Sequence, residues 1–372
     1  MSNLKTPQRY TYVGSFLRPE KLKEARKNYE DGKIDYNSLK SVEDECITNL
    51  IKKLKELGYH IITDGEFRRA TWHFDFMWGF EGVGHQKTKS GQPFHDEVAY
   101  IDDTYITGKL KLTKTHPFVE HFKFVKKFED EKTIAKQTIP SPCQFYYTFT
   151  TPGNRKATEK FYSKDSEFAE DLINCYKTFI IQLYDAGCRN LQFDDCTWTR
   201  MADDVNYKLF GVEKEGLKEV QKLYSDLINK VIANAPKDLT INIHVCRGNY
   251  HSTYFSKGPY DSVADELFGK ENVNAYYLEY DDERSGGFEP LAKVSGDKKV
   301  VLGLITSKKP ELENKETVIK RIKEASKYVP LERLHLSPQC GFASCEIGNK
   351  LTEEEQWNKL KLVKEIAEEV WK

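Results

Sequence analysis

The sequence predicts an α/β protein built as a (β/α)8 TIM barrel with an insertion after the second strand. Eight short apolar stretches, rich in β-branched and aromatic residues, recur along the 372 residues. Most are separated by segments with apolar residues three and four apart, the rhythm of a parallel sheet with helical crossovers. Polar residues able to do chemistry gather at the C-terminal ends of those stretches, the rim where such barrels carry their sites. An open dinucleotide-binding sheet is disfavoured, because no Gly-rich fingerprint follows the first strand.

In chain order, TYVGSF (11–16) reads as the first strand and NSLKSVEDECITNLIKKLKELGY (37–59) as a helix, with Cys46, Leu50, Ile51 and Leu54 on its apolar face. HIITD (60–64) is the second strand. Residues from about 75 to 131 break the rhythm: glycines cluster early, and ITGKLKLT (106–113) alternates like an arm of a small antiparallel unit. This excursion is read as an insertion over the barrel mouth within a single catalytic domain spanning 1–372. KTIAKQTIP (132–140) is the third strand, closed by SPCQ, and a helix follows over 165–185. RNLQFDD (189–195), DLTINIHVC (238–246), VNAYYLEY (273–280), KVVLGLI (299–305) and LERLHLS (331–337) complete the eight. Helical patterns cover 212–234, 261–269 and 313–328, and the closing helix, 351–370, opens on a capping box of Thr352 and Glu355.

Composition narrows the function. With 57 basic and 58 acidic side chains the net charge is −1, which provides no field to gather nucleic acid or an anionic membrane. No run is long and apolar enough to span a bilayer, and MSNLKTPQRY lacks the apolar core of a signal peptide, so a cytoplasmic protein is expected. Eight cysteines in such a chain are not a disulfide scaffold. There is no phosphate-cradling loop, HExxH or Gly-x-Ser-x-Gly.

The strand ends carry the chemistry. Ser15 follows the first strand, Asp64 and Glu66 the second, and Asp194 and Asp195 end the fourth. His244 and Cys246 stand two apart on the fifth, so both side chains point the same way and can reach one metal. Glu279 ends the sixth, and Cys340 lies in the turn SPQCGF after the eighth. Zinc takes four such ligands, and a labile carboxylate suits a catalytic site. The same residues also fit a packed histidine and buried thiols, with Cys196 and Cys345 as rival ligands. Asp194 and Asp195 could cap a helix, and the aromatic run WHFDFMWGF (72–80) could be core or the wall of a pocket.

These motifs resemble the catalytic C-terminal barrel of the cobalamin-independent methionine synthases, and most closely the short bacterial members that lack the N-terminal barrel. The similar stretches are GSF near 14, ITDGEFRR (61–68), LQFDD (191–195), IHVCRGN (243–249), YLEYDDERSG (277–286) and LSPQCGFAS (336–344), essentially the whole chain. The resemblance implies a Zn2+ site of His244, Cys246, Glu279 and Cys340, and a methyl group moved to the thiol of homocysteine to form methionine. It implies Glu279 as the ligand that yields to the thiol, Asp194 and Glu66 on the substrate ammonium, with Asp195 beside them, and Ser15 at its carboxylate.

Two departures concern the donor. The histidine that the long enzymes carry at the end of strand seven is missing from GLITSK (303–308), where Thr306, Ser307 and Lys308 are the available substitutes. No tryptophan stands in SPCQFYY (141–147), so Tyr146, Trp72 or Trp78 would provide the stacking surface. The donor could be a methylated folate, a small methylated compound or a corrinoid protein. The alternative is a zinc-dependent alkyltransferase using another thiol or another electrophile. A homo-oligomer is compatible with either reading; a nucleic-acid or membrane partner is not expected.

Overall fold

The computed structural model describes residues 4–87 and 91–372. After α1 (Glu20–Glu30) and α2 (Tyr36–Glu56) comes the short strand β1 (Ile61–Ile62). The excursion that follows contains α3 (Phe74–Met77), β2 (Glu81–Gln86), β3 (Gln92–Pro93), β4 (Val98–Ala99), β5 (Asp103–Lys111) and α4 (Pro117–Lys126). Within it β2 pairs antiparallel with β5, and β3 with β4. Next are β6 (Ile134–Ala135) and β7 (Gln137–Pro140), two halves of one strand broken at Lys136, then α5 (Pro142–Thr150), α6 (Pro152–Thr158) and α7 (Asp165–Asp185). The remainder alternates: β8 (Asn190–Asp195), α8 (Thr197–Ala202), α9 (Leu217–Ile232), β9 (Thr240–Val245), α10 (Ala264–Lys270), β10 (Ala275–Glu279), β11 (Lys299–Ile305), α11 (Lys315–Ala325), β12 (Leu334–Pro338) and α12 (Glu353–Val370).

The strands form a parallel ring. β7 to β12 lie side by side in chain order, and β1 pairs with β6. The N-terminal segment closes the circle: Thr11 N–H donates to Leu336 O at 3.0 Å, Leu336 N–H to Arg9 O at 2.9 Å, and Phe16 N–H to Gly65 O at 3.1 Å. Eight strand positions around one axis are a (β/α)8 barrel, with the insertion after the second. Strands β7, β8, β10 and β12 are buried at every residue, as a parallel sheet covered on both faces requires.

Two elements depart from expectation. TYVGSF forms no strand of its own, and the one bridge of this segment, Tyr10 to Leu336, lies just before it. The carbonyls of Tyr12 and Val13 are spent on interior side chains instead: Lys136 Nζ donates to both at 2.6 Å, and Gln192 Nε2 donates to Val13 O at 3.0 Å. The stretch after the third strand folds into α5, where Ser141 Oγ accepts from Gln144 N–H at 2.9 Å and Pro142 occupies the first turn. The expected capping box of Thr352 and Glu355 opens α12. Among the described residues no helix is long and apolar enough to cross a membrane.

Candidate active site

Strand register brings four donors together at the C-terminal rim. His244 lies on β9 opposite Tyr277 of β10, and Cys246 follows one residue past the end of β9. Glu279 ends β10 beside Gly303 of β11, and Cys340 sits just past β12. One donor atom from each of the four lies within 4.8 Å of the others, a set able to hold one metal ion, and all four residues are buried. The two sulfurs are 3.6 Å apart. The turn after β12 has no room for a side chain at Gly341, where a Cβ would come within 1.9 Å of Ser15 Oγ.

The surroundings of the cluster favour a cation in it. His244 Nδ1 faces the carbonyl of Tyr277 at 3.1 Å, which puts the hydrogen on Nδ1. Its Nε2 is buried with no nitrogen or oxygen partner and faces only the Cys340 thiol, itself one of the four donors, which leaves that lone pair available to a metal. Cys196 and burial hold the Cys246 thiol well above its ordinary range, and Cys246 and burial do the same to Cys340. Burial alone would raise the Glu279 carboxyl, but Lys308, Arg284 and His244 together hold it well below the usual range. Its oxygens accept from Arg247 N–H at 2.6 Å and from Arg284 Nη2 at 2.9 Å. Cys196 packs with Cys246, Cys340 and Trp72 but is outside the four-donor group, as is Cys345.

The cluster opens into a pocket whose opposite side is acidic. Ser15, Glu66 and Asp194 line it together with His244, Cys246 and Cys340. Glu66 is turned inward by two consecutive left-handed residues, Gly65 at φ 64° and Glu66 at φ 61°. Thr138 Oγ1 donates to Glu66 Oε1 at 2.8 Å, while Glu66 Oε2 is buried without a partner. Burial and the nearby Glu66 push Asp194 up to about 8, against the pull of Gln192 Nε2, which donates to Asp194 Oδ1 at 2.7 Å. Beneath them burial pushes Lys136 down to about 7, against the pull of Asp194 and Glu66.

Aromatic rings and the insertion form the outer wall. Trp72, His73, Phe94, Tyr250 and Phe255 line the pocket, with Gln92, Ala99 and Ile101 from the insertion. Phe94 lies tilted against Tyr250 and edge-on to Phe255, at 5.3 and 5.6 Å between centroids. The insertion is pinned down here. Glu97 pairs with His251 at 2.8 Å and with Lys350 at 2.5 Å, and His95 N–H donates to Tyr254 O at 3.0 Å.

Three residues proposed for substrate binding are placed elsewhere. Asp195 is fully buried and caps α8, accepting from Thr197 N–H at 2.6 Å and Trp198 N–H at 3.3 Å. Trp78 stacks on His85 at 3.8 Å, outside the pocket. Tyr146 faces the core on α5 against Phe168 and Tyr224. Nor do the strand-seven substitutes line the pocket: Ser307 Oγ donates to Gly341 O at 2.9 Å, Thr306 N–H bonds Glu313 Oε1, and Lys308 Nζ faces Glu279 at 3.9 Å. Sequence reasoning passed over Arg200 and His73, which do line it. Their signal was present in position, Arg200 one helical turn past the end of β8 and His73 inside the aromatic run.

Fold and cluster together define a barrel protein with a metal-capable rim, and the comparisons name its class. Residues 160–369 match the family described as the cobalamin-independent synthase catalytic domain. The chain belongs to this family of methionine-synthase-like methyltransferases. Among its relatives is YxjG of Bacillus subtilis strain 168, an uncharacterized protein 43% identical over 370 residues, covering 99% of this chain and 96% of that one. The methionine synthase of Pyrococcus horikoshii is 23% identical over 334 residues, covering 89% and 85%. A Listeria monocytogenes structure assigned as a vitamin-B12-independent methionine synthase superposes with a TM-score of 0.78 at 37% identity, covering 100% of both chains.

Proposed function

We propose that the protein is a zinc-dependent methyltransferase that converts homocysteine to methionine, with His244, Cys246, Glu279 and Cys340 as the zinc ligands. The observation that carries the reading is the available Nε2 of His244 in a four-donor cluster that shares its pocket with two carboxylates. Zinc held there supplies a Lewis acid that keeps a bound thiol deprotonated near neutral pH.

The chain's own residues perform the rest. Glu66 and Asp194 receive the ammonium of the amino acid, and Ser15 receives its carboxylate, so the thiol is directed toward the cluster. Arg247 N–H and Arg284 hold Glu279 from behind, which leaves it a weakly basic and easily displaced ligand. Trp72 and the pinned insertion keep water from the reacting sulfur.

X-ray absorption at the zinc edge, before and after adding homocysteine, tests the proposal. A rise from two sulfurs to three supports it. Bound zinc with an unchanged sulfur count refutes homocysteine and turns the search to other thiols. Failure to bind zinc refutes the metal assignment.

A further inference from the structure

The pocket contains a cation, Arg200, that stands outside every ion pair among the described residues. Arg200 Cζ lies between the rings of Tyr147 and Phe255, at 4.8 and 4.6 Å from their centroids. Its Nε is buried without a hydrogen-bond partner; the Tyr147 hydroxyl, Cys196 and the more distant Asp195 support its charge, but Arg200 belongs to no ion pair among the described residues. Ring stacking orients a guanidinium but does not neutralise it, so the site is set for an anion. No other arginine or lysine lines the pocket among the described residues.

Next to this cation the wall is of another kind. Trp72, Phe94, Tyr250 and Phe255 present aromatic surface, and Trp72 packs directly on the thiols of Cys196, Cys246 and Cys340. Aromatic faces attract methylated onium groups, whose charge is spread over their methyls. The segment bearing Phe94 is fastened through Glu97 and His95, so what binds beneath it is compact.

The chemistry of departure points the same way. A tertiary amine that gives up a methyl group must be protonated to leave as a neutral amine. Thr306, Ser307 and Lys308 do not line the pocket, His73, which does, is pushed down to about 3 by burial and by Arg200, and Asp194 is engaged by the ammonium of the acceptor on the proposed reading. A sulfonium needs no proton, because it leaves as a neutral thioether.

Resting on the proposed acceptor reading, we propose that the methyl donor is a compact sulfonium carboxylate, its onium group against the Trp72–Phe94–Tyr250–Phe255 wall and its carboxylate on Arg200. The thiolate sulfur of the acceptor forms a bond to the methyl carbon as the methyl–sulfonium bond breaks. The electron pair leaves on the donor sulfur, the positive and negative charges cancel, and the acceptor's proton has already passed to solvent.

The test uses the full-length zinc-loaded protein with homocysteine and three donors: 3-(dimethylsulfonio)propanoate, ethyldimethylsulfonium, which lacks the carboxylate, and 5-methyltetrahydrofolate. We expect the sulfonium carboxylate to exceed ethyldimethylsulfonium at least tenfold in kcat/KM, that ratio to vanish in Arg200→Met, and part of it to survive in Arg200→Lys. Because the readout is a ratio, a partly misfolded variant still reports. A second arm needs no turnover: 3-(trimethylammonio)propanoate, an unreactive mimic, should quench tryptophan fluorescence in the parent protein and not in Arg200→Met. Equal use of the two sulfonium salts, an unchanged ratio in Arg200→Met, or transfer from the folate alone overturns the proposal. If homocysteine adds no sulfur to the zinc, the acceptor reading falls, and the quenching arm still decides the donor site.

Discussion

At the scale of single residues, the pocket is governed by charges in unusual states. Burial and Glu66 push Asp194 upward, so it keeps its proton to a higher pH than a free carboxyl does. The ionised form is the one that receives an ammonium, so binding strengthens as the pH rises above the usual carboxylate range. Titration calorimetry with homocysteine from pH 6 to 9 should show that slope, corrected for the ligand's own ionisations. Asp194→Asn should weaken binding about tenfold to hundredfold while zinc content stays whole, through loss of a charge-assisted hydrogen bond. A variant that binds as the parent does would take Asp194 out of the acceptor site. Cys246→Ser and Cys340→Ser should each lose stoichiometric zinc by elemental analysis; a variant that keeps it shows a different ligand set.

At the scale of elements, the insertion behaves as a fastened cover. Glu97 is its main clasp, joined to His251 and Lys350. Glu97→Ala should speed amide exchange across 94–101 about tenfold and lower kcat/KM, with zinc content unchanged. Exchange at the parent's rate would show that other contacts hold the cover.

Legibility in the sequence differed by element for physical reasons. β10 and β11 were plain because strands buried on both faces read as near-continuous apolar runs, while β8, β9 and β12 were legible from apolar residues alternating with the polar ones that the site uses. α5 was hidden because PCQFYYTFT is aromatic and β-branched, and tertiary packing of Phe145, Tyr146 and Phe149 overrides its weak helical propensity. The first strand looked ordinary because nothing local shows that Lys136, more than a hundred residues on, takes its carbonyls. His244, Cys246, Glu279 and Cys340 were legible as polar residues at strand ends, and resemblance chose among them. Asp195 was open to two readings because a cap and a ligand-binding carboxylate look alike until the neighbouring helix is seen to start there. Arg200 and its two rings come from separate elements, so their stacking has no sequence signature.

At the scale of the whole molecule, the barrel core and the rim cluster are energetically separate. Leu302, Val300 and Leu336 are buried beneath helices with no part in the cluster. Stripping metal with a chelator should therefore leave the far-ultraviolet circular dichroism unchanged at 25 °C, unlike a small zinc domain, which unfolds. Leu302→Ala should cost about 2–5 kcal/mol in denaturant unfolding while keeping full zinc occupancy. Loss of the dichroism signal on chelation would make the metal a structural one.

The four donors also set a calendar. His244 and Cys246 emerge from the ribosome well before Cys340, which lies just past the last barrel strand. Synthesis proceeds from the N-terminus, so a nascent chain carries at most a partial ligand set until the sheet is ready to close. On the proposed ligand set, metallation would be a late step, and a filled site would certify that the ring of strands has been joined.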